Sequence, residues 1–325
     1  MPTRTELLAA CKAAGLRGYS TKTKSELEAL LAAAPAPAPD TIEHVADPAP
    51  APRREEILEG DCLTVMATLP TGSAQIVLAD PPYNIGKDFG NDSDKQSLPD
   101  YLVWCDRWIA ESLRVLKDNG TMFIFGFSEN LALILSRIPP SINRRWLVWH
   151  YTNKNVASLH FWQRSHESIL MLWRDPPVFH RDAVREPYTE GFLHGAAGRT
   201  RTTTKGRFSK GERATTYTAH PEGALPRDVI KVPALAGGAG AKERVDHPTQ
   251  KPLALCDRLL RSCAQPADAG FVLVPFAGSG SECLAAKGLA LPFVGIELNP
   301  TYVALARARL NPPVAAAAAA EAATE

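Results

Sequence analysis

One segment near the carboxyl end of the chain, residues 271–297, constrains the fold more than any other. It begins with an apolar run, passes through a glycine-rich turn at 275–280 and a helical pattern, and ends with a second apolar run followed by Glu297. Glycines let the backbone approach a ligand where a helix begins, and an acid after the next strand can bind ribose hydroxyls. A Gly-x-Gly turn alone is weak evidence, but the complete strand–turn–helix–strand–acid unit predicts nucleotide binding.

A second apolar run, residues 74–79, leads into Asp80-Pro81-Pro82-Tyr83. Each proline fixes its own φ and favours extended geometry in the preceding residue, so a rigid loop holds Asp80 and Tyr83 at a set separation. Asp80 and the Pro81 carbonyl can both accept hydrogen bonds from one exocyclic amino group, and Tyr83 can stack on the ring that bears it. Two such acceptors would restore the delocalised lone pair of the amino group. Taken alone, these four residues also fit a simple strand-ending turn.

Strand-like runs and helical patterns alternate through the rest of this region. Strands are predicted at 57–60, 121–127, 146–150 and 168–173, with helices at 63–69 and 99–116 and a turn at 117–120. This alternation predicts an α/β domain with a mostly parallel, doubly wound sheet. Trp104 and Trp108 share one face of the second helix and are expected in the core. Core packing is also expected for Phe161 and Trp162, with the lining of a base pocket as the alternative.

The first residues form a separate pattern. Thr3 with Glu6, and Thr23 with Glu26, each fit a capping box ahead of an apolar-periodic run, which predicts two short helices. With the intervening Gly-Leu-Arg-Gly-Tyr-Ser at 15–20, the pattern resembles the SAP-type helix-extension-helix module, which commonly binds DNA. A helical hairpin used only for packing or protein contacts is the alternative.

Composition sets the domain boundaries. Residues 1–34 form the SAP-like module, the Ala/Pro-rich stretch 35–53 is a semi-extended linker, 54–312 form the main domain, and 313–325 are a low-complexity tail. The net charge of +1 gives no global signal for a polyanionic partner, so a nucleic-acid surface must be local. The chain has 6 cysteines without a close pair at metal-binding spacing, so no metal site is predicted and a reduced, intracellular protein is expected. No run is long and apolar enough to span a bilayer, and no membrane partner is expected.

Three motifs in sequence order resemble the β-group amino methyltransferases of DNA: Asp-Pro-Pro-Tyr-Asn-Ile from Asp80, His-Pro-Thr-Gln-Lys-Pro from His247, and Pro-Phe-Ala-Gly-Ser-Gly from Pro275. In that group the catalytic motif precedes the cofactor motif, as it does here, and the resemblance covers residues 56–311. It implies a Rossmann-like S-adenosylmethionine-dependent methyltransferase fold with permuted motif order. It also implies an inserted target-recognition region at 190–245.

The resemblance also implies roles for individual residues. The catalytic motif corresponds to Asp80, Pro81, Pro82 and Tyr83. The S-adenosyl-L-methionine site corresponds to Asp61, Thr249, Lys251, Phe276, Gly278, Ser279, Gly280 and Glu297. The family usually carries Asp where this chain has Val274, which removes a carboxylate expected near the methionine amino group, and Glu282 is the candidate to replace it.

A basic stretch lies between the catalytic and cofactor halves. Its cations, interleaved with small hydroxyl residues, suit phosphate contact and base-edge reading: Arg199, Arg201, Lys205, Arg207, Lys210 and Arg213. The position within 190–245 favours recognition of target DNA, and a solvated insertion is the alternative.

The sequence therefore predicts a site-specific methyltransferase that acts on the N6 amino group of adenine in double-stranded DNA after base flipping. An Asp at the head of the motif favours adenine, whereas Ser is more frequent in the enzymes specific for N4 of cytosine, which is the first alternative. An RNA or protein-amide methyltransferase and a catalytically weak DNA-binding protein are the others. A homodimer and a cognate restriction endonuclease are candidate partners. The expected compartment is the cytoplasm for a bacterial source, or the host nucleus or cytoplasm for a viral one.

Overall fold

The computed structural model describes residues 2–13, 22–32, 55–89, 94–153, 158–202, 214–216 and 218–312. The helices are α1 Arg4–Ala13, α2 Lys24–Ala32, α3 Cys62–Met66, α4 Leu98–Val115, α5 Ser128–Arg137, α6 Glu190–Gly195, α7 Leu253–Cys263, α8 Ser281–Gly288 and α9 Pro300–Leu310. The strands are β1 Glu55–Glu59, β2 Ala74–Ala79, β3 Leu116–Gly126, β4 Asn143–His150, β5 His166–Trp173, β6 Thr200–Thr202, β7 Ala214–Thr216, β8 Val229–Lys231, β9 Phe271–Val274 and β10 Phe293–Glu297. The predicted linker 35–53, the tail 313–325 and the motif 15–20 lie outside the described residues.

The chain divides into two compact units, Met1–Ala49 and Pro50–Glu325. In the first, α1 and α2 pack through Leu7, Cys11 and Leu27. Both predicted capping boxes are confirmed, because the backbone N–H of Thr3 donates to Glu6 Oε2 and that of Thr23 to Glu26 Oε2, each at 2.7 Å. The likeness to a SAP module stays a prediction.

The second unit is built on an 8-stranded sheet with the order β1-β10-β9-β2-β3-β5-β4-β8. The pairs that include β5 are antiparallel, and the other pairs of this sheet are parallel. A separate antiparallel ribbon joins β6 to β7. The predicted α/β class and mostly parallel sheet are therefore confirmed.

Helices cover both faces of the sheet, and β2 shows why its sequence is uniformly apolar. Ile76 and Leu78 pack into the core beneath α7, α8 and α9, while Val77 and Ala79 pack into the core beneath α3, α4 and α5. Because successive side chains of a strand point to opposite faces, a strand covered on both faces must be apolar at every position.

Two local predictions were wrong. Residues 117–120, predicted as a turn, lie within β3, where the pairing with β2 shifts register between Ala74 and Ile76. Phe161 and Trp162 are 81% and 89% exposed, so neither packs in the core. Trp108 is buried as expected, and Trp104 packs against the same core while its partly exposed side borders a cleft.

The position of a ligand cleft follows from the strand order. From β9 the chain crosses through α8 to β10 on one side, and from β2 it crosses through α4 to β3 on the other side. The adjacent carboxyl ends of β9 and β2 therefore mark the topological switch point, where open α/β sheets bind ligands. Among the helices that the structure describes, none combines the length and apolarity needed to cross a membrane.

Candidate active site

The Asp80–Tyr83 loop begins directly after β2 and opens into the cleft at the switch point. The Tyr83 hydroxyl donates to Asp80 Oδ1 at 2.7 Å, which closes the loop on itself. Tyr101 of α4 donates to the Pro82 carbonyl at 3.0 Å. No residue that the structure describes donates to the Pro81 carbonyl, which leaves the second predicted acceptor available.

The Tyr83 ring is more enclosed than a stacking platform at a sheet edge would be. It is 8% exposed and packs against Phe127 with a centroid distance of 5.1 Å. Burial, followed by the charges of Asp80 and Glu167, raises the pKa of Tyr83 well above its ordinary value, so the phenol stays protonated and acts as a donor. The ring still borders the cleft, and its role as a platform for a base stays a prediction.

Asp94 holds the next part of this loop and was missed by the sequence analysis. Its fully buried carboxylate accepts backbone N–H groups from Asn84, Ile85 and Lys87. Asn84 has a φ of 57°, a left-handed conformation that the hydrogen bonds to Asp94 stabilise. No spacing rule distinguishes Asp94 in the sequence from the other acids of this polar stretch.

Lys251 borders the cleft but also pairs with the catalytic motif. The resemblance assigned it to the S-adenosylmethionine site, and its Nζ lies 2.7 Å from Asp80 Oδ2 and 3.6 Å from Glu167 Oε2. Burial lowers the pKa of Lys251, yet the charges of Asp80 and Glu167 outweigh that effect and raise it above the ordinary value. Lys251 is therefore a buried cation held between two carboxylates.

Glu167 is the second residue that the sequence analysis missed. It lies on β5, is 6% exposed, and its Oε2 lies 3.2 Å from the Tyr83 hydroxyl, within hydrogen-bond distance. Its one sequence signal is an acid at the head of an otherwise apolar strand run. An acid in such a position lies either in solvent at a strand edge or in the interior with a charged or hydrogen-bonding partner. In the folded protein Glu167 lies in the interior.

The glycine turn after β9 shapes the other half of the cleft. Gly278 has a φ of 48°, and a Cβ there would lie 2.9 Å from His247 Nε2. Phe276 packs against Trp104 and Trp108 with centroid distances of 5.6 and 5.1 Å. Gly280 differs from the prediction, because it does not border the cleft and a Cβ there would meet Ala306 of α9. Its small size permits the close packing of α8 against α9.

Two of the acids assigned to the cofactor, Asp61 and Glu297, border the cleft. Glu297 Oε2 accepts the backbone N–H of Gly278 and Oε1 that of Asn299, each at 2.8 Å, and burial raises the pKa of Glu297. Asp61 caps α3 by accepting the N–H of Thr64 at 3.1 Å. A carboxylate has about four lone-pair sites, so both acids can accept further hydroxyl groups.

Glu282, in the first turn of α8, is 3% exposed and borders the same cleft. No hydrogen bond or ion pair joins its carboxylate to another residue within the described ranges. Burial and the charge of Asp80 raise the pKa of Glu282 to about 7. Val274 is fully buried and does not border the cleft, so Glu282 supplies the buried acid on this side.

The cleft thus brings together predicted residues from both halves of the chain. These are Asp61, Asp80, Pro81, Pro82, Tyr83, Thr249, Lys251, Phe276, Gly278, Ser279, Glu282 and Glu297. Within the described ranges, no cluster of three or more His, Cys, Asp or Glu side chains could hold a metal ion.

The predicted DNA-contacting cations are only partly described. Arg199 is exposed and Arg201 lies on β6. Lys205, Arg207, Lys210 and Arg213 lie outside the described residues. Their role in DNA contact stays a prediction.

Comparisons with known proteins identify the family. A family model described as DNA methylase matches residues 74–308. The chain is 31% identical over 269 residues to the DNA adenine methyltransferase YhdJ of Escherichia coli strain K12, which covers 78% of this chain and 82% of that protein. It is 28% identical over 262 residues to the type II methyltransferase M.HpaI of Haemophilus parainfluenzae, covering 79% and 74%.

The fold also has a solved counterpart. A structure titled PvuII DNA methyltransferase (cytosine-N4-specific) superposes with a TM-score of 0.56 at 15% identity, covering 79% of this chain and 87% of that one. This likeness confirms the predicted methyltransferase fold. Because the family model spans most of the main domain and includes both halves of the cleft, the chain belongs to the DNA methylase family.

Proposed function

We propose that the protein transfers a methyl group from S-adenosylmethionine to the exocyclic N6 amino group of adenine in double-stranded DNA. One observation carries the proposal. Asp80, at the end of β2, shares one cleft with the glycine turn after β9 and with Glu297 at the end of β10. An amino-group acceptor and a nucleoside-binding unit therefore face each other at the switch point.

The residues of the cleft suit S-adenosylmethionine, the methyl donor of this family. When bound, it supplies a methyl group activated by a sulfonium. Glu297 would bind the ribose hydroxyls, Asp61 would lie near the adenine, and the turn from Phe276 to Gly278 would lie against the ligand. Glu282 offers a buried carboxylate to a cationic amino group, which is the chemistry of the methionine end.

Asp80 would act on the target amino group. With the Pro81 carbonyl, it would accept both amino hydrogens, align the nitrogen for in-line methyl transfer, and accept a proton as the nitrogen becomes acidic. An adenine inside a duplex cannot reach Asp80, so the base must be flipped out and enclosed by Tyr83 and the two prolines.

Adenine is preferred over cytosine on two grounds. The motif begins with Asp80, and the relative at 31% identity is named an adenine methyltransferase. The N4 amino group of cytosine is the second candidate, favoured by the solved structure with the cytosine-N4 title. Both amino groups present the same chemistry to Asp80, so the mechanism is unchanged.

The remaining proposals concern partners. The region 190–245 would read the target sequence through six cations: Arg199, Arg201, Lys205, Arg207, Lys210 and Arg213. The first unit would add a DNA contact of the SAP type. The proposed protein partners are a second copy of this chain and a cognate restriction endonuclease. The proposed location is inside the cell, in the compartment that holds its DNA.

The decisive experiment incubates the protein with methyl-labelled S-adenosylmethionine and unmethylated duplex DNA, followed by mass spectrometry of the nucleosides, with Asp80→Ala in parallel. We expect N6-methyladenine, and none with the variant. N4-methylcytosine would change only the base. Cofactor binding without a methylated nucleoside would redirect the search to RNA or protein amides, and absence of cofactor binding would favour a DNA-binding protein without catalysis.

A further inference from the structure

Asp80 and Glu167 compete for the same two donors. Lys251 Nζ lies 2.7 Å from Asp80 Oδ2 and 3.6 Å from Glu167 Oε2. The Tyr83 hydroxyl lies 2.7 Å from Asp80 Oδ1 and 3.2 Å from Glu167 Oε2. A phenol has a single hydrogen to donate, so Tyr83 can serve only one carboxylate at a time.

This arrangement follows from the sheet. β2 and β5 lie on either side of β3, and β5 runs antiparallel with Ser168 opposite Gly126. Glu167 therefore reaches the same edge of the sheet as Asp80, although it comes from a different strand. Lys251, 3% exposed, lies between them.

The resting arrangement does not favour the proposed chemistry. Both oxygens of Asp80 already accept a strong donor, and a cation next to a carboxylate weakens it as an acceptor for a neutral amino group. Lys251 cannot simply leave, because a buried cation needs a partner. Glu167 is the partner that lies within about 1 Å of hydrogen-bond distance.

The space around Lys251 suits such a shift. Its Nζ lies 5.3 Å from the ring centroids of Tyr83 and Phe125. A cation is stabilised by ring faces at this distance, so it need not lose all favourable contact while it moves.

We propose that Glu167 is a positioning residue that takes over Lys251 and the Tyr83 hydroxyl from Asp80 when the target base enters, so that Asp80 becomes free to accept the amino hydrogens. The inference rests on the proposed function, because it assigns Glu167 a part in the same amino-group transfer. No atom of Glu167 contacts the reacting nitrogen in this scheme.

The test compares Glu167→Gln, Glu167→Asp and the double variant Glu167→Gln/Lys251→Met with the full wild-type chain. The measurements are single-turnover methylation rate at saturating DNA and cofactor, the dissociation constants for both, and the melting temperature. Glu111→Gln is the matched control, because it removes an ion-paired acid, the partner of Arg114 on α4, away from the cleft.

We expect Glu167→Gln to lower the methylation rate by about tenfold or more while both dissociation constants change by about twofold or less, because binding survives and alignment fails. Glu167→Asp should recover part of the rate. The double variant should be faster than Glu167→Gln, because no lysine then remains on Asp80. If Glu167 were only a structural counterion, Glu167→Gln would lower the melting temperature, and the double variant would not recover the methylation rate.

Two results would overturn the inference: a folded Glu167→Gln variant with the wild-type rate, or a double variant no faster than the single one. If Glu167→Gln fails to fold, the test uses the charge-balanced double variant and Glu167→Asp instead. The inference then requires Glu167→Asp to methylate more slowly than wild type while its affinities for DNA and cofactor are unchanged. A wild-type chain that methylates no DNA would instead refute the proposed function itself.

Discussion

The backbone N–H of Gly278 donates a hydrogen bond to Glu297 Oε2 at 2.8 Å. The glycine turn after β9 and the acid at the end of β10 therefore hold each other in place before any ligand binds. The second oxygen of Glu297 accepts the N–H of Asn299, which also caps α9 through its side chain. One carboxylate thus fixes the turn, the strand end and the start of the next helix.

Gly278→Ala should weaken cofactor binding. A φ of 48° strains an L residue, and the new Cβ would lie 2.9 Å from His247 Nε2. We expect the unfolding free energy to fall by about 1–3 kcal/mol and the dissociation constant for S-adenosylmethionine to rise by about tenfold, measured by denaturant titration and calorimetry.

The control is Gly288→Ala, at the end of α8, where a Cβ would meet nothing within 4 Å. It should leave binding unchanged and stability unchanged or higher by up to about 1 kcal/mol. Equal effects of the two substitutions would contradict the role given to Gly278.

Glu282→Gln should stabilise the folded protein above pH 7 and weaken its binding of S-adenosylmethionine. Burial and the charge of Asp80 raise the pKa of Glu282 to about 7 in the folded protein, against 4.5 as its ordinary value. Between these values the unfolded chain ionises first, so this group lowers stability as the pH rises from 4.5 to 7. Glutamine stays neutral, so the variant should have a higher melting temperature than wild type at pH 8 and the same melting temperature at pH 4.

The same variant should bind S-adenosylmethionine more weakly, because it lacks the carboxylate offered to the methionine amino group. An analogue without that amino group should bind both proteins equally. His247 has the opposite pH effect, since burial lowers its pKa to about 4, but it is present in both proteins and cancels in the difference. Unchanged affinity for S-adenosylmethionine would remove Glu282 from the proposed site.

Tyr83→Phe should impair catalysis more than folding. It keeps the ring that packs on Phe127 but removes the hydroxyl that bonds Asp80 and Glu167. We expect the methylation rate to fall by about tenfold with a loss of about 0.5–1.5 kcal/mol in stability. Tyr101→Phe, which frees the Pro82 carbonyl without touching Asp80, should have the smaller effect on rate. A wild-type rate for Tyr83→Phe would contradict this.

Trp162→Ala should weaken DNA binding without destabilising the fold. Leu159, Phe161 and Trp162 are 86%, 81% and 89% exposed, and adjacent apolar side chains this exposed mark an interaction surface. Nearby Arg164 lies 4.1 Å over the Phe127 ring, which contacts Tyr83. We expect a change of about 0.5 kcal/mol or less in stability and a several-fold weaker DNA complex by fluorescence anisotropy.

Val103→Ala is the control, because Val103 is 54% exposed on α4 and lies outside the cleft. It should leave DNA affinity unchanged. A drop in the melting temperature of Trp162→Ala would indicate that this side chain packs against the protein after all.

Local sequence patterns determined the elements that carry the site. The apolar runs before Asp80 and Glu297 became β2 and β10, and the glycine turn at 275–280 leads directly into α8, where a helical pattern was predicted. These signals are local, because strand period, helix capping and the φ preferences of glycine and proline act within a few residues. Residues of two distant segments line one cleft, because carboxyl ends of neighbouring parallel strands meet at one edge.

The tertiary structure alone decided which groups surround Asp80. Lys251 was assigned to the cofactor by its motif, yet it pairs with Asp80, and Glu167 was not identified at all. The position of Glu167 depends on strand order and on the antiparallel placement of β5, which no local pattern encodes. Burial then decided which partners these acids need, because a carboxylate removed from water must find a cation, a donor or a proton.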